Sequence, residues 1–113
     1  MVGSTKKPRI SPRVSYEVLE DWLSHALRRA GMNDAEATAT AHALAEADLR
    51  GVHSHGAVRL PVYVALMRKE VWIAGAEPKI LVDHGVLSLL DGCCGIGPYI
   101  ATLAMRLAVA RAP

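Results

Sequence analysis

The sequence predicts a mixed α/β fold (an α+β fragment) in which a subdomain of three helices precedes two short strands and a fourth helix. Apolar residues recur at helical spacing through the first part of the chain, two β-prone runs follow Gly75, and an alanine-rich segment ends the sequence. Two strands do not make a stable sheet alone. We therefore expect residues 76–113 to hold only the beginning of a larger α/β domain.

Residues 1–13 are predicted to form a disordered tail ahead of the helical subdomain, which we assign to residues 14–75. The tail mixes Gly, Ser and Lys with two prolines and has little apolar content. Contacts made by such a segment do not offset the conformational entropy lost on ordering it.

Local capping signals define the first two helices. Ser15 can cap the start of a helix whose apolar residues recur at three- and four-residue spacing, and Gly31 can end it. Asn33 followed by Glu36 forms a capping-box pattern, which opens a second helix that stops near Gly51. Alternating alanines in this helix mimic the period of a strand, but alanine is the best helix former and a poor strand former.

Proline and glycine mark the remaining elements. Pro61 suits the first turn of a third helix that ends near Glu70, with residues 53–59 as a structured turn before it. The β-prone runs 80–82 and 86–90 are separated by Asp83-His84-Gly85, which indicates a hairpin. A last helix is expected from Pro98 to about Ala112.

Composition argues against nucleic-acid binding and against a membrane protein. The formal net charge is +2, much of the basic excess lies in the tail, and the chain has no Phe, three Tyr and two Trp. A nucleic-acid interface needs a concentrated basic surface, usually with stacking aromatics. No apolar stretch approaches the length of a membrane span, so a cytoplasmic protein is expected.

The densest group of reactive side chains runs from Arg50 to Tyr63, between two predicted helices. His55 can accept and donate a proton near neutral pH, and Arg59 offers a planar fork to a carboxylate. His55, Arg59 and Tyr63 are spaced by four, so they would share one face of a continuous helix, although Pro61 makes that continuity doubtful. Spacing alone leaves a purely structural role open, with a cap at Ser54, an exposed arginine and a half-buried tyrosine.

Two other motifs have alternative interpretations. His53-x-His55 could offer two zinc ligands, but the turn holds no third ligand, so no metal site is predicted. Residues 92–97 lie between a strand and a helix, where a dinucleotide loop would be, yet the order is Gly-x-x-Gly-x-Gly. We expect a tight turn there with reduced Cys93 and Cys94, and we keep Gly95 and Gly97 as candidate cofactor-binding residues.

The run Ala47-Asp48-Leu49-Arg50-Gly51-Val52-His53-Ser54-His55-Gly56-x-x-Arg59-Leu60-x-x-Tyr63 resembles the signature of the type II malate/L-lactate dehydrogenase family. Its relatives include ureidoglycolate, sulfolactate and diketogulonate oxidoreductases. Glu77-Pro78-Lys79-Ile80 and Leu90-Asp91-Gly92 are similar to later segments of the same family.

This resemblance implies reversible hydride transfer between NAD or NADP and a small 2-hydroxy or 2-oxo acid such as malate or lactate. It also implies a homodimer that binds the nucleotide without the Rossmann fingerprint. Carried over by motif, His55 is the active-site histidine, Arg59 binds the substrate carboxylate, and Ser54 and Tyr63 line the substrate or cofactor site.

The resemblance further implies that members are much longer than this chain. Most of the cofactor-binding sheet and a further catalytic histidine would lie beyond Pro113. The chain alone is therefore expected to be incomplete and inactive, and the alternative is a non-catalytic helical interaction module left by truncation.

Overall fold

The computed structural model describes Gly3 and residues 11–113. Their elements, in chain order, are α1 (Tyr16–Arg29), α2 (Asp34–Leu49), two 3₁₀ turns (His53–His55 and Ala57–Arg59), α3 (Leu60–Arg68), β1 (Lys79–Asp83), β2 (Ser88–Asp91) and α4 (Gly97–Arg111). The predicted disordered tail lies mostly outside the described residues, and residues 11–13 are exposed without regular secondary structure. Within the described part of the chain, no helix is both long and apolar enough to cross a membrane.

Both predicted helix starts are confirmed by hydrogen bonds to the capping side chains. The Val18 amide donates to Ser15 Oγ over 3.3 Å at the start of α1. At the start of α2, the Glu36 amide donates to Asn33 Oδ1 over 2.9 Å, and the Asn33 amide donates to Glu36 Oε2 over 3.0 Å. The capping box therefore satisfies two amides that have no partner within the helix.

The core lies between α1 and α2. Buried residues of α2 recur every four positions, so they lie on one face of the helix. Several of them are alanines, whose small side chains let α1 approach closely. Ile96, from the turn before α4, is also fully buried and joins this core. The fully or nearly fully buried apolar residues are Leu23, Leu27, Met32, Ala37, Ala41, Leu44, Ala45 and Ile96.

Glu36 also links α2 to the segment that follows α3. Its side chain is 1% exposed, and its second oxygen, Oε1, accepts from the Gly75 amide over 2.6 Å. Both carboxylate oxygens thus have backbone donors, which offsets the cost of burying the group. The start of the hairpin segment is thereby attached to the helical part of the molecule.

The two strands form the predicted antiparallel hairpin, but β2 begins later than expected. Lys79 pairs with Asp91 and Asp83 with Ser88, with an irregularity between Ile80 and Val82. The predicted second strand began at residue 86, whereas the His84 amide donates to the Leu87 carbonyl over 2.8 Å and closes the turn across residues 84–87. Residues 86 and 87 therefore belong to the turn.

Arg111 at the end of α4 attaches this helix to the hairpin. Its guanidinium donates to both carboxylate oxygens of Asp83, each over 2.7 Å, and also to Ser88 Oγ. Such a two-pronged contact fixes orientation as well as distance. The pKa of the Asp83 carboxyl is held below its usual range by hydrogen bonds from the Gly85 amide and from Arg111.

The hairpin leaves most of its apolar residues exposed, so we predict that the 113-residue chain self-associates. Leu81 and Leu89 are 59% and 55% exposed, and exposed strand edges can pair with another chain. Size-exclusion chromatography with light scattering should show oligomers that Leu81→Lys reduces. Val18→Lys, at a 58% exposed position on α1, is the control and should leave the oligomers unchanged. A monodisperse monomer would contradict this prediction.

Candidate active site

The segment that holds the candidate residues begins where α2 ends. The Val52 amide donates to the Ala47 carbonyl over 2.8 Å, and the Gly51 amide donates to the Asp48 carbonyl over 3.0 Å. Gly51 has φ 78°, the left-handed conformation that glycine adopts without strain. This arrangement is a Schellman motif, so the predicted stop at Gly51 is confirmed and the chain reverses direction there.

The candidate residues lie on two separate turns and not on one continuous helix. Gly56, between the two 3₁₀ turns, is extended with φ −88° and ψ −151°. Arg59 is helical with φ −79° and ψ −14° and leads directly into α3, where Pro61 occupies the first turn. The predicted start of the third helix near Pro61 is confirmed, because proline fits the first helical turn. The doubt about one continuous helix is also confirmed, although the helical conformation breaks at Gly56 and not at Pro61.

Asp48, on the last turn of α2, holds this segment in place. Its Oδ1 lies 2.8 Å from His53 Nδ1, and its Oδ2 accepts from the Ala57 amide over 2.7 Å. Burial by itself would raise the pKa of the Asp48 carboxyl, but the hydrogen bonds from Ala57 and His53 outweigh it and keep that pKa below its usual range. The carboxylate is therefore ionised at neutral pH.

Gly56 leaves the space that the Asp48 carboxylate occupies. A Cβ atom built on Gly56 would overlap the Asp48 carboxylate, so any side chain at this position would push the aspartate out of place. Sequence analysis did not identify Asp48 as a site residue. The available signal was its position inside the quoted motif, but spacing does not show that its side chain turns toward the following loop.

Ser54 and His55 lie together on the first 3₁₀ turn, and both are exposed. Ser54 Oγ is 3.0 Å from His55 Nδ1, which leaves His55 Nε2 without a recorded partner among the described residues. The 3₁₀ turns have no side-chain cap, so the structural alternative of Ser54 as a helix cap is wrong. His53 and His55 have different surroundings, since only His53 contacts Asp48.

Arg59 and Tyr63 differ in their burial. Arg59 is exposed, and no ion pair to its guanidinium is found among residues 11–113. Tyr63 is half-buried, with its ring centroid 4.6 Å from that of Trp72. No hydrogen bond recorded for the described residues joins His55 to either of them, so the structure brings together Ser54 and His55 only.

The turn before α4 is the expected tight turn, but its glycines are not there for backbone freedom. Its positive φ angles are at Cys93 and Cys94, at 50° and 58°, while Gly95 supplies space. A Cβ on Gly95 would lie 3.0 Å from the Ile100 side chain and 2.9 Å from the Gly92 carbonyl oxygen. Packing therefore accounts for this glycine, and both cysteines are free thiols. Cofactor binding by Gly95 and Gly97 stays a prediction.

Metal binding has no support in the geometry of the described residues. No group of three or more His, Cys, Asp or Glu side chains there could hold a metal ion together. His53 is engaged by a carboxylate of the helix, and its neighbour His55 by a serine.

Comparison with known proteins agrees with this architecture. The family model described as malate/L-lactate dehydrogenase matches residues 14–113. The chain is 34% identical over 105 residues to malate dehydrogenase of Pyrococcus horikoshii, covering 88% of this chain and 28% of that protein. It is 39% identical over 102 residues to ureidoglycolate dehydrogenase (NAD(+)) of Escherichia coli, covering 88% of this chain and 29% of that protein.

The solved structure of malate dehydrogenase from Pyrococcus horikoshii superimposes with a TM-score of 0.86 at 29% sequence identity, covering 88% of this chain and 29% of that one. The chain therefore belongs to the malate/L-lactate dehydrogenase family. It spans between a quarter and a third of the length of the curated relatives that it matches.

Proposed function

We propose that residues 14–113 form the N-terminal part of an oxidoreductase that transfers hydride between NAD or NADP and a small 2-hydroxy or 2-oxo acid such as malate or lactate. One observation carries the proposal beyond family membership. The segment fixed by Asp48 leaves His55 and Arg59 exposed on two turns that meet at Gly56. A proton-transfer group and a carboxylate-binding group are thus both open to a ligand.

His55 is the proposed proton-transfer residue. Oxidation of the alcohol removes hydride from the carbinol carbon and a proton from its hydroxyl group, which leaves a carbonyl. His55 Nδ1 is engaged with Ser54 Oγ, so Nε2 is the nitrogen that would take this proton. Donation from Nδ1–H to Ser54 Oγ would select the tautomer with its lone pair on Nε2.

Arg59 is the proposed carboxylate-binding residue. An exposed guanidinium with no ion pair among the described residues can donate two parallel hydrogen bonds to the two oxygens of a substrate carboxylate. Tyr63 lies four residues after Arg59, and its ring packs against Trp72. Its hydroxyl is proposed to line the same site. Ser54 contributes through its contact with His55.

The nicotinamide cofactor, when bound, supplies the hydride acceptor or donor of the reaction. Gly95 and Gly97 are candidates for contacting it, although packing already explains Gly95, and Ser54 and Tyr63 line either the substrate or the cofactor in the family resemblance. The roles proposed for His55 and Arg59 concern the substrate. The use of NAD or NADP and the homodimer stay predictions from the family resemblance, and the cytoplasmic location stays a prediction from the sequence.

The function is tested with the protein expressed from its complete reading frame. Absorbance of NADH and NADPH should report turnover of malate or lactate, or of their oxo acids, whereas the 113-residue chain alone should turn over none of them. Positioned hydride transfer needs the whole nucleotide site. A folded full-length protein that neither binds a nicotinamide nucleotide nor turns over any of these acids would favour the interaction-module alternative.

Arg59→Lys in that full-length protein should lower kcat/KM. Lysine keeps the charge but loses the planar fork, so the expected loss is about 1.5–3 kcal/mol, or roughly 10- to 150-fold. Steady-state kinetics with the 2-hydroxy acid varied measures this effect. Arg68→Lys, also at an exposed position and on α3, is the matched control and should leave kcat/KM unchanged. Equal losses in both variants would remove Arg59 from the substrate site.

A further inference from the structure

We infer that Asp48 is a positioning residue, whose carboxylate fixes residues 53–57 and thereby sets the direction in which His55 faces the substrate. The catalytic part of this inference rests on the proposed function. Among the described residues, the side-chain hydrogen bonds of Asp48 go to His53 and to the Ala57 amide and not to His55 or Arg59, so it acts through the conformation of the segment.

The two hydrogen-bond partners of Asp48 flank His55 along the chain. One carboxylate oxygen contacts His53, two residues before His55, and the other accepts from the amide of Ala57, two residues after it. A single side chain therefore ties down both ends of the short stretch that presents His55. The close approach of Gly56 to the same carboxylate completes the contact.

The helix that carries Asp48 is a rigid support. Leu44 and Ala45, on the preceding turn of α2, are each 1% exposed in the core. The Asp48 side chain is 21% exposed and ionised at neutral pH, so its hydrogen bonds have a charged acceptor and little competition from water. The short Asp48 side chain thus fixes the position of the loop relative to the core.

Helix stability does not explain an aspartate at this position. A negative charge in the last turn of a helix interacts unfavourably with the helix dipole. The two hydrogen bonds with the following loop offset this unfavourable interaction of the Asp48 carboxylate. The location of this charge therefore supports a role in the loop.

Asp48→Asn in the full-length protein tests the inference with two readouts. Amide exchange should become about 10-fold faster at His55, Gly56 and Arg59, whose amides donate within the 3₁₀ turns, while the core amide of Leu44 is unchanged. In steady-state kinetics, kcat should fall about 10-fold with KM for the nucleotide unchanged. Glu46→Gln is the matched control, because Glu46 also lies in the last turns of α2 and its carboxylate pairs with Arg50 at the C-cap of that helix.

A second variant covers the case in which Asp48→Asn loosens the whole helix and Leu44 also exchanges faster. Ala57→Pro leaves the carboxylate intact and removes only the amide that donates to it, at the first position of a 3₁₀ turn, where proline is tolerated. It should accelerate exchange at Gly56 and Arg59 without affecting Leu44.

The outcomes separate this inference from the proposed function. Unchanged exchange at Gly56 and Arg59 in both variants overturns the role of Asp48, whatever the activity. Faster amide exchange with unchanged kcat would show that Asp48 does not set the orientation of His55 for catalysis. If the unmodified full-length protein transfers no hydride, the proposed function fails, and local exchange alone decides whether Asp48 fixes the segment.

Discussion

Replacing His55 with glutamine in the full-length enzyme should lower kcat by a factor on the order of 10²–10⁴, the usual contribution of a positioned acid–base group. Glutamine keeps much of the shape of histidine and can still contact Ser54, but it cannot take up a proton. The variant should also lose the dependence of kcat on pH that a proton-transferring side chain confers, followed between about pH 5 and 8. Stopped-flow or steady-state measurement of NADH formation across this range is the test.

His25→Gln is the control for this substitution. His25 is exposed on α1, and its ring bonds to Asp21 of the same helix, so kcat and the pH profile should be those of the parent protein. His55→Gln should leave the melting temperature nearly unchanged, because His55 is exposed and, among the described residues, its side-chain hydrogen bond is to Ser54. Near-normal kcat in His55→Gln, or a loss that follows thermal stability, would return His55 to a structural role.

Gly56→Ala should produce the largest loss of stability in this segment. The new methyl group would overlap the Asp48 carboxylate and displace it from both His53 and Ala57. Overpacking and the loss of charged hydrogen bonds together should lower the free energy of unfolding by about 2–4 kcal/mol. Urea unfolding followed by circular dichroism measures this change, with Leu81→Lys in every sample to limit association.

Two further variants identify the cause of that loss. Gly97→Ala is the control, since a Cβ there meets Trp72 at an ordinary 3.6 Å and should cost little. Combining Gly56→Ala with Asp48→Ala removes the overlapping carboxylate, so the double variant should be more stable than the sum of the single losses predicts. Strict additivity would show that the cost of Gly56→Ala arises elsewhere.

Helix boundaries could be predicted from the sequence because the signals are local. Ser15, Asn33 and Glu36 bond to amides within three residues, and Gly51 ends α2 through its own backbone conformation. The hairpin was predicted, but its second strand was placed too early. Apolar composition at residues 86 and 87 suits a strand equally well, and only the hydrogen bond across the turn assigns them to it.

The candidate site was predicted less completely. Residue type and family resemblance identified His55 and Arg59, whereas Asp48 depends on a chain reversal that brings a helix residue against a loop nine residues later. Gly95 shows the same limit, since the sequence indicates a turn but not that Ile100 fills the space beside it. Contacts that require the assembled fold carry no signature in spacing alone.

The bond between Glu36 and the Gly75 amide decides where this polypeptide could be divided for engineering. A cut between α2 and Gly75 would separate two halves of the same buried contact, and each half would leave a polar group without its partner. The exposed turn between β1 and β2 lies outside this buried contact, and Arg111 of α4 bonds only to the residues at its two ends, Asp83 and Ser88. A split-protein reporter or a circular permutant should therefore open at His84–Val86, leaving the helical part and its bond to Gly75 on one piece.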